Sequence, residues 1–292
     1  MKIVLLGAKG MLGRALQAEF EQTNVVAALD QDEVDITNEE MVRRLVSKVK
    51  PEVIINAAAY TNVDGAEIDR ETAQAVNEIG VGNIARVAEE IDAVLVHYST
   101  DYVFDGKKQA GYKEDDLPGP AVNSYGASKL AGERLLKTIN PKFYLIRTAW
   151  LYGAGGKNFV DTMVGLGQQL AGRGREQQEL RVVNDQWGSP TYTVDLAQAT
   201  RRILDGRLPW GIYHLVNDGV TTWYELAVKI FENIQQDVTV TPVASTEYPR
   251  PAKRPTWSVL INEKGPKLRA WQNALAEYLG GGMMDNESPK SR

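Results

Sequence analysis

The segment Gly7-Ala8-Lys9-Gly10-Met11-Leu12-Gly13 has the spacing G-x-x-G-x-x-G and lies between an apolar run, residues 3–6, and an amphipathic segment, residues 12–21. A strand, a glycine turn and a helix in this order are typical of a dinucleotide-binding unit. Glycines let the backbone approach a pyrophosphate, and the helix N-terminus supplies unpaired N–H groups. By itself the turn could equally be a tight connection without a ligand, so its context has to decide.

The first half of the chain repeats this alternation of strand and helix. The predicted strands are short and continuously apolar, which is typical of a parallel sheet covered on both faces. They are residues 3–6, 25–29, 53–56, 94–98 and 144–147. The predicted helices are residues 12–21, 38–48, 73–91 and 124–138. The pattern predicts an α/β fold with a Rossmann-type, doubly wound parallel sheet.

After residue 150 the alternation becomes irregular, which suggests a smaller, interleaved C-terminal substrate domain. Further strands are predicted at 181–183 and 212–216, and further helices at 158–170, 194–204 and 267–279. We therefore expect a dinucleotide-binding domain from residues 1–150 plus about 181–218. The substrate-binding domain would comprise about 151–180 plus 219–279, followed by a flexible tail, 280–292.

Composition excludes several classes of protein. The 292 residues carry a net charge of −5, and no basic cluster indicates a nucleic-acid partner. The absence of cysteine excludes disulfides, thiolate nucleophiles and cysteine-based metal sites, and two histidines are too few for the usual histidine-based metal clusters. The apolar run at residues 3–6 is too short for a signal peptide or a membrane span. We expect a cytoplasmic protein with no membrane partner.

Asp30 follows Gly13 by 17 residues and ends the second predicted strand, where a carboxylate can accept hydrogen bonds from an adenosine ribose. The acidic segment 30–33 would repel a 2′-phosphate and so favours NADH. Lys9 and Arg14 flank the glycine turn and could offset that repulsion, so both NADPH and NADH stay open as the cofactor.

Two further segments are candidates for cofactor contact. Residues 35–38 either meet the adenine or form a plain helix cap, with Thr37 as the N-cap and Glu40 in the N3 position. Residues 56–61 follow the third strand, and their small side chains either let a cofactor lie over the sheet or make a tight strand exit.

Tyr125 and Lys129 are four residues apart, which places them on one face of the predicted helix 124–138. A phenol is a poor proton donor or acceptor at neutral pH unless a nearby cation lowers its pKa. Thr100 follows a buried strand and so places a hydroxyl at the edge of the sheet where ligands bind. Together these residues predict a carbonyl-reducing site, in which Thr100 holds the substrate oxygen, Tyr125 transfers a proton and Lys129 tunes Tyr125 while contacting the nicotinamide ribose.

These motifs resemble those of the extended short-chain dehydrogenase/reductases. More closely, residues 1 to about 279 resemble the dTDP-4-dehydrorhamnose reductases, which catalyse the last step in making dTDP-L-rhamnose. The distinctive segments are 99–106 (STDYVFDG), 147–150 (RTAW), 184–186 (NDQ), 188–191 (GSPT), 222–224 (TWY) and 250–255 (RPAKRP).

The resemblance implies that hydride passes from NAD(P)H to the C4 carbonyl of dTDP-6-deoxy-L-lyxo-4-hexulose, with Tyr125 as the proton donor. It implies that Thr100, Asp101 and Trp150 contact the substrate. The residues expected to contact the cofactor are Gly7, Gly10, Met11, Leu12, Gly13, Asp30, Asp35, Ile36, Ala59, Tyr60, Thr61, Tyr125 and Lys129. Ala15 stands where some relatives carry a glutamate that helps a metal-bridged dimer. We therefore expect no metal, and either a monomer or a homodimer.

Two alternative functions remain. The first is another nucleotide-sugar reductase or epimerase on the same scaffold. The second is a non-catalytic, NADP-binding regulatory subunit, which the joint presence of Thr100, Tyr125 and Lys129 disfavours.

Overall fold

A six-stranded parallel sheet forms the centre of the protein. From one edge to the other, its strands are β10 (Gly211–His214), β5 (Phe143–Thr148), β4 (Val94–Thr100), β3 (Val53–Asn56), β1 (Lys2–Leu6) and β2 (Val25–Leu29). The structure is a computed structural model that describes residues 1–170 and 179–282, the side chains of 281 and 282 excepted. The other strands are β6 (Leu151–Tyr152), β7 (Glu179–Val183), β8 (Trp187–Gly188), β9 (Thr191–Tyr192), β11 (Thr221–Thr222) and β12 (Thr239–Val243). The predicted Rossmann-type, doubly wound parallel sheet is confirmed.

Helices cover both faces of this sheet. They are α1 (Met11–Phe20), α2 (Glu39–Val49), α3 (Gly65–Ile68), α4 (Arg70–Gln74), α5 (Val81–Glu90), α6 (Ser124–Ile139), α7 (Phe159–Leu170), α8 (Thr193–Asp205), α9 (Trp223–Asn233) and α10 (Trp271–Gly282). Successive residues of β1 point to opposite faces, so Ile3 packs with α1 and α8, whereas Val4 packs with α2 and α5. Burial on both faces explains why the central strands are continuously apolar.

A third apolar cluster lies outside the sheet and joins α7, α9 and α10. The predicted strand 181–183 exists within β7, but β7 pairs with β12 in a separate two-stranded sheet. The predicted strand 212–216 is shorter than expected and forms β10, which joins the main sheet beside β5. The extents of the two domains stay a prediction. Residues 280–282 of the expected tail belong to α10, and the rest of the tail lies outside the described residues, as do residues 171–178.

Two helix predictions were wrong in detail. The segment 73–91 is not one helix: a π-helical turn, Ala75–Gly80, separates α4 from α5. Thr37 does not cap α2. The cap is Asn38, whose side-chain oxygen accepts a hydrogen bond from the backbone N–H of Met41 at 3.1 Å.

The π turn packs very closely against α6. A Cβ atom at Gly132 would lie 2.1 Å from the carbonyl oxygen of Asn77, so Gly132→Ala should reduce the free energy of unfolding by about 1–3 kcal/mol. Gly165 in α7 is a matched control, because a Cβ there meets nothing within 4 Å. Gly165→Ala should be neutral or stabilising by up to about 1 kcal/mol. Urea unfolding of both variants checks this, and equal effects would contradict the packing argument.

Candidate active site

Several candidate residues lie at or directly after the carboxyl end of a strand in the parallel sheet, whereas Tyr125 and Lys129 lie on α6. Leu6 is in register with Leu29 and Asn56, and Thr100 is in register with Thr148. The segments that follow these residues therefore meet at one edge of the sheet. The strand order reverses between β1 and β3, which is where open α/β sheets bind ligands.

The glycine turn has the geometry that a pyrophosphate needs. Gly7 has φ +77°, and a Cβ there would lie 2.6 Å from the backbone nitrogen of Ala58. A Cβ at Gly13 would lie 2.0 Å from the carbonyl oxygen of Gly7, so neither glycine can carry a side chain. No side chain caps the start of α1, which leaves the first N–H groups of the helix available to an anion. This segment fits a dinucleotide.

Asp30 lies beside the glycine turn, as the sequence predicts. Its carboxylate accepts hydrogen bonds from the backbone N–H groups of Lys9 (2.7 Å) and Gln31 (2.8 Å). The side chain of Lys9 forms an ion pair with Asp32, and the Arg14 side chain donates to the carbonyl of Lys9 at 3.0 Å. The carboxylate of Asp32 thus already has a cationic partner on the glycine turn.

The two remaining cofactor segments lie beside the second and third strands. The Asp35 carboxylate accepts from the N–H (2.9 Å) and the hydroxyl (2.7 Å) of Thr37. The side chain of Ile36 is 6% exposed and packs in the apolar core, and its carbonyl accepts from Asn83 at 3.0 Å. Ala59 and Tyr60 are partly buried and Thr61 is exposed.

A hydrogen-bonded path connects Tyr60 to α6, the helix that carries Tyr125 and Lys129. Asn77, in the π turn, exchanges hydrogen bonds with the main chain of Tyr60 at 2.9 and 3.0 Å. Its amide also donates to the Ser128 hydroxyl at 3.0 Å, and that hydroxyl donates to the carbonyl of Tyr125 at 2.8 Å. No motif in the sequence indicates this role of Asn77, although π turns often occur at functional sites.

Thr100 ends β4 and caps a short 3₁₀ turn, Asp101–Val103. Its hydroxyl donates to the carboxylate of Asp101 at 2.9 Å, and both side chains are buried. Burial raises the pKa of Asp101 to about 6, because the charged form loses water and the hydrogen bonds from Thr100 and its other neighbours only partly replace it.

Tyr125 lies in the first turn of α6, which packs directly on this 3₁₀ turn. A Cβ at Gly126 would lie 2.2 Å from the carbonyl oxygen of Tyr102, so the glycine permits the approach. Burial and the charge of Asp101 raise the pKa of Tyr125 to about 12, although the Thr100 hydroxyl acts in the opposite direction. At neutral pH Tyr125 therefore keeps its proton.

Lys129 is 1% exposed, and its Nζ donates to the carbonyl of Tyr98 at 2.7 Å. Burial lowers the pKa of Lys129 to about 8, although the charge of Glu133 acts in the opposite direction. The structure thus brings Thr100, Tyr125 and Lys129 to one edge of the sheet. The sequence predicts that Lys129 lowers the pKa of Tyr125. Among the described residues, however, the groups that shift this pKa are Asp101 and Thr100, and Lys129 is not one of them.

Asp101→Asn should change how stability depends on pH. The folded-state pKa of Asp101 is raised from 3.8 to about 6, so the folded protein binds this proton more tightly than the unfolded chain. As pH rises through this window, the wild type should lose up to about 2–3 kcal/mol relative to the variant. Urea unfolding at pH 4, 6 and 8 measures the difference.

Asp105→Asn is the control for that measurement. The Tyr112 hydroxyl donates to the Asp105 carboxylate at 2.6 Å and lowers its pKa. The stability that this bond contributes is present above the unfolded pKa and is lost as pH falls through the folded pKa, which is the opposite sign. A constant difference between wild type and Asp101→Asn from pH 4 to 8 would contradict the assignment for Asp101.

Trp150 follows β5 at the same edge, with a backbone φ of +47°, which is rare for a bulky residue. Its ring stacks on Trp223 with centroids 3.5 Å apart and planes inclined by 7°. A Cβ at Gly188 would lie 2.4 Å from the Trp150 ring, so the glycine makes room for it. The segments that carry Trp223 and Gly188 thus hold Trp150 in a backbone conformation that is unfavourable for this residue type.

The segment 250–255 lies against the active-site edge. Arg254 forms a bidentate ion pair with Asp64 (2.5 and 3.0 Å), and the carbonyl of Lys253 accepts from Asn123, the N-cap of α6, at 2.8 Å. From sequence, these cations could either meet a diphosphate or lie on a solvated loop. Arg254 instead has a protein partner. Arg250 also lies within 3.9 Å of the Asp64 carboxylate, although Arg250 and Lys253 are exposed.

Beneath the site, Arg147 of β5 and Glu133 of α6 form a bidentate ion pair at 2.9 and 2.7 Å, with both side chains 0% exposed. Glu133 was not predicted from the sequence as a site residue. Two signals pointed to it: an arginine in an apolar strand needs a partner, and Glu133 continues the i, i+4 series of Tyr125 and Lys129.

Among residues 1–170 and 179–282, no three acidic or histidine side chains come together as a metal site. No helix in the same residues has the length and apolar character to cross a membrane.

The Rossmann-type sheet, the glycine turn and the Thr100, Tyr125 and Lys129 arrangement define an oxidoreductase of the extended short-chain dehydrogenase/reductase class. The model of the RmlD substrate binding domain family matches residues 1–282. The chain belongs to this family.

Relatives with this architecture are similar along most of their length. The dTDP-4-dehydrorhamnose reductase of Mycolicibacterium smegmatis is 43% identical over 285 residues, covering 94% of this chain and 84% of that one. The spore coat polysaccharide biosynthesis protein SpsK of Bacillus subtilis is 40% identical over 283 residues, covering 95% and 96%. A crystal structure of dTDP-4-dehydrorhamnose reductase from Bacillus anthracis in complex with NADP superposes with a TM-score of 0.90 at 38% identity, covering 96% and 99%.

Proposed function

We propose that this protein uses NADPH or NADH to reduce the C4 carbonyl of dTDP-4-dehydro-L-rhamnose to a hydroxyl, giving dTDP-L-rhamnose. The observation that carries the proposal is the placement of Thr100, at the end of β4, and Tyr125, in the first turn of α6, at the ligand-binding edge of the sheet, with Lys129 one helical turn away. The similarity to dTDP-4-dehydrorhamnose reductases supports the choice of substrate.

When bound, the reduced nicotinamide supplies the hydride. The residues proposed to hold the cofactor are Gly7, Gly10, Met11, Leu12, Gly13, Asp30, Asp35, Ile36, Ala59, Tyr60, Thr61, Tyr125 and Lys129. The tight glycine turn and the uncapped N-terminus of α1 support this assignment.

Tyr125 gives its proton to the substrate oxygen. An alkoxide is a stronger base than a phenolate, so the transfer is favourable even though the pKa of Tyr125 is raised to about 12. The Thr100 hydroxyl, which donates to Asp101 in the free protein, turns to donate to the same oxygen and stabilises the developing negative charge. Asp101 and Trp150 contact the sugar.

The substrate-binding domain, about 151–180 plus 219–279, binds the sugar nucleotide. The dinucleotide-binding domain, 1–150 plus about 181–218, binds the cofactor. We further propose a cytoplasmic monomer or homodimer that needs no metal, no membrane and no nucleic acid.

The test is oxidation of NADPH or NADH, followed by loss of the reduced-nicotinamide absorbance. The 4-keto sugar nucleotide is made in the cuvette from dTDP-4-keto-6-deoxyglucose by a 3,5-epimerase. Oxidation that depends on the epimerase supports the proposal and ranks the two cofactors. Oxidation without the epimerase would contradict the assigned substrate.

A second candidate is reduction of another deoxysugar nucleotide, which the similarity to the spore coat polysaccharide protein favours. A regulatory subunit that binds NADP without turnover is the third. Failure with the epimerase product but oxidation with another 4-keto sugar nucleotide indicates the second candidate, and cofactor binding without any turnover indicates the third.

A further inference from the structure

A fully buried imidazole lies behind the active site and has no part in the function proposed above. His97 of β4 is 0% exposed. Its Nδ1 is 3.1 Å from the side-chain nitrogen of Asn56 on β3, and its Nε2 is 3.4 Å from Nζ of Lys129 on α6. The ring therefore connects the sheet to the lysine of the proposed active site.

One backbone group determines which ring nitrogen carries the proton. The N–H of Ala58 can only donate, and it donates to Oδ1 of Asn56 at 3.1 Å. The amide nitrogen of Asn56 therefore faces His97 and donates to Nδ1. A neutral imidazole that accepts at Nδ1 carries its proton on Nε2, so the Nε2–H of His97 points towards Lys129.

This N–H disfavours the charged form of Lys129. The lone pair of a neutral amine accepts from it, whereas an ammonium presents only N–H groups to it. On α6, Tyr125 lies one turn before Lys129. Glu133, whose charge favours the ammonium form of Lys129, lies one turn after it. From β5, Arg147 forms its bidentate pair with Glu133 and shares that charge.

The pKa values agree with this arrangement. Burial lowers the pKa of Lys129 to about 8. Burial, followed by the charge of Lys129, lowers the pKa of His97 well below its usual value, so the ring is neutral at pH 7.

We propose that Asn56 and His97 are positioning residues for Lys129: Asn56 holds His97 as the Nε2–H tautomer, and this N–H lets the amine release its proton instead of remaining a fixed cation. The benefit to catalysis rests on the proposed function, since a lysine that exchanges its proton can help to reprotonate Tyr125 after each turnover. The tautomer itself does not depend on that function.

The only other histidine provides an internal comparison. Nδ1 of His214 lies 3.1 Å from the carbonyl oxygens of Tyr112 and Ile261, which can only accept, so Nδ1 carries the proton. Nε2 then accepts from Arg147 at 3.4 Å. The two histidines of the chain thus have opposite tautomers.

The first experiment reads the tautomers directly from the full-length protein labelled with ¹⁵N-histidine. Long-range ¹H–¹⁵N correlation spectra at pH 7 should show two neutral rings, one with an Nε2–H and one with an Nδ1–H pattern. A His97→Gln variant assigns the signals, because the Nε2–H pattern should disappear from its spectrum. An Nδ1–H or charged ring at His97 would overturn the proposal, whether or not the protein has reductase activity.

The second experiment reverses the tautomer with Asn56→Asp. The carboxylate can accept both from Ala58 and from Nδ1–H of His97, which turns Nε2 into an acceptor for an ammonium. The midpoint of the Lys129 ionisation should then rise by about one pH unit or more, a tenfold change in proton affinity. It is measured from the pH dependence of NADPH affinity and, where there is turnover, from that of kcat/KM.

Asn140→Asp is the matched control. It places a new carboxylate at another buried asparagine, the C-cap of α6, eleven residues after Lys129. This variant should leave the midpoint unchanged. If Asn56→Asp does not fold, His97→Gln provides the measurement, because its amide can turn an oxygen towards Nζ and shift the midpoint in the same direction. Unchanged midpoints in the folded variants at positions 56 and 97 would refute the proposal.

Discussion

Tyr125→Phe should lower kcat by about 10²–10⁴-fold, because the variant retains the ring but loses the only proposed proton donor to the substrate oxygen. The affinity for NADPH and the KM for the sugar nucleotide should change little. Steady-state kinetics with the epimerase-coupled substrate and a fluorescence titration of NADPH measure the two effects separately.

Tyr102→Phe is the control for this prediction. Tyr102 lies beside Tyr125, with ring centroids 6.0 Å apart and planes inclined by 78°, so its variant tests whether loss of a neighbouring phenol has the same result. It should reduce kcat by less than about tenfold, since no proton transfer is assigned to it. A Tyr125→Phe enzyme with near wild-type kcat would remove Tyr125 from its assigned role.

Arg147→Met should reduce the free energy of unfolding by about 3–5 kcal/mol, because it leaves Glu133 buried without its charge partner. The guanidinium also lies over the ring of Phe104, 4.9 Å from its centroid, and donates to His214. Urea unfolding at pH 7 measures the loss.

Two further variants separate the cause of that loss. The double variant Arg147→Met/Glu133→Leu removes both charges and should recover most of the lost stability. Arg43→Met breaks ion pairs with Glu90 and Glu39. The Arg43 side chain is 35% exposed, and those of its partners are 46% and 32% exposed, so the variant should cost less than about 1 kcal/mol. A double variant no more stable than Arg147→Met would show that packing, not the unpaired charge, determines the loss.

The parts of the fold that could be predicted are those that depend on neighbouring residues in the chain. The glycine turn and the central strands have local patterns, since a strand buried on both faces must be apolar throughout. The π turn could not be predicted, because Asn77 bonds to the main chain of Tyr60, which lies 17 residues earlier. β12 could not be predicted either, because it contains Pro242, which is unusual within a strand. Its pairing with β7 is therefore not visible in the sequence.

In the candidate site, too, the predictable residues are those related by spacing along the chain. Tyr125 and Lys129 share a helix face at a fixed spacing, so the sequence brings them together. His97 and Asn56 act on Lys129 from two different strands, and their proximity depends on the order of the strands in the sheet. The pKa of Tyr125 rises because burial and Asp101 outweigh Thr100, which no spacing predicts.

The edge position of β10 affects how the chain folds as the ribosome makes it. The other five strands of the sheet are complete at Thr148, but β10, which covers the outer edge of β5, ends only at His214. Synthesis at about 5–20 residues per second leaves a delay of roughly 3–13 s between the two. During that time β5 exposes unpaired N–H and C=O groups to other nascent chains. A strong promoter, which places many nascent chains together, should therefore favour aggregation, and a weaker promoter at the same elongation rate should raise the yield of folded protein.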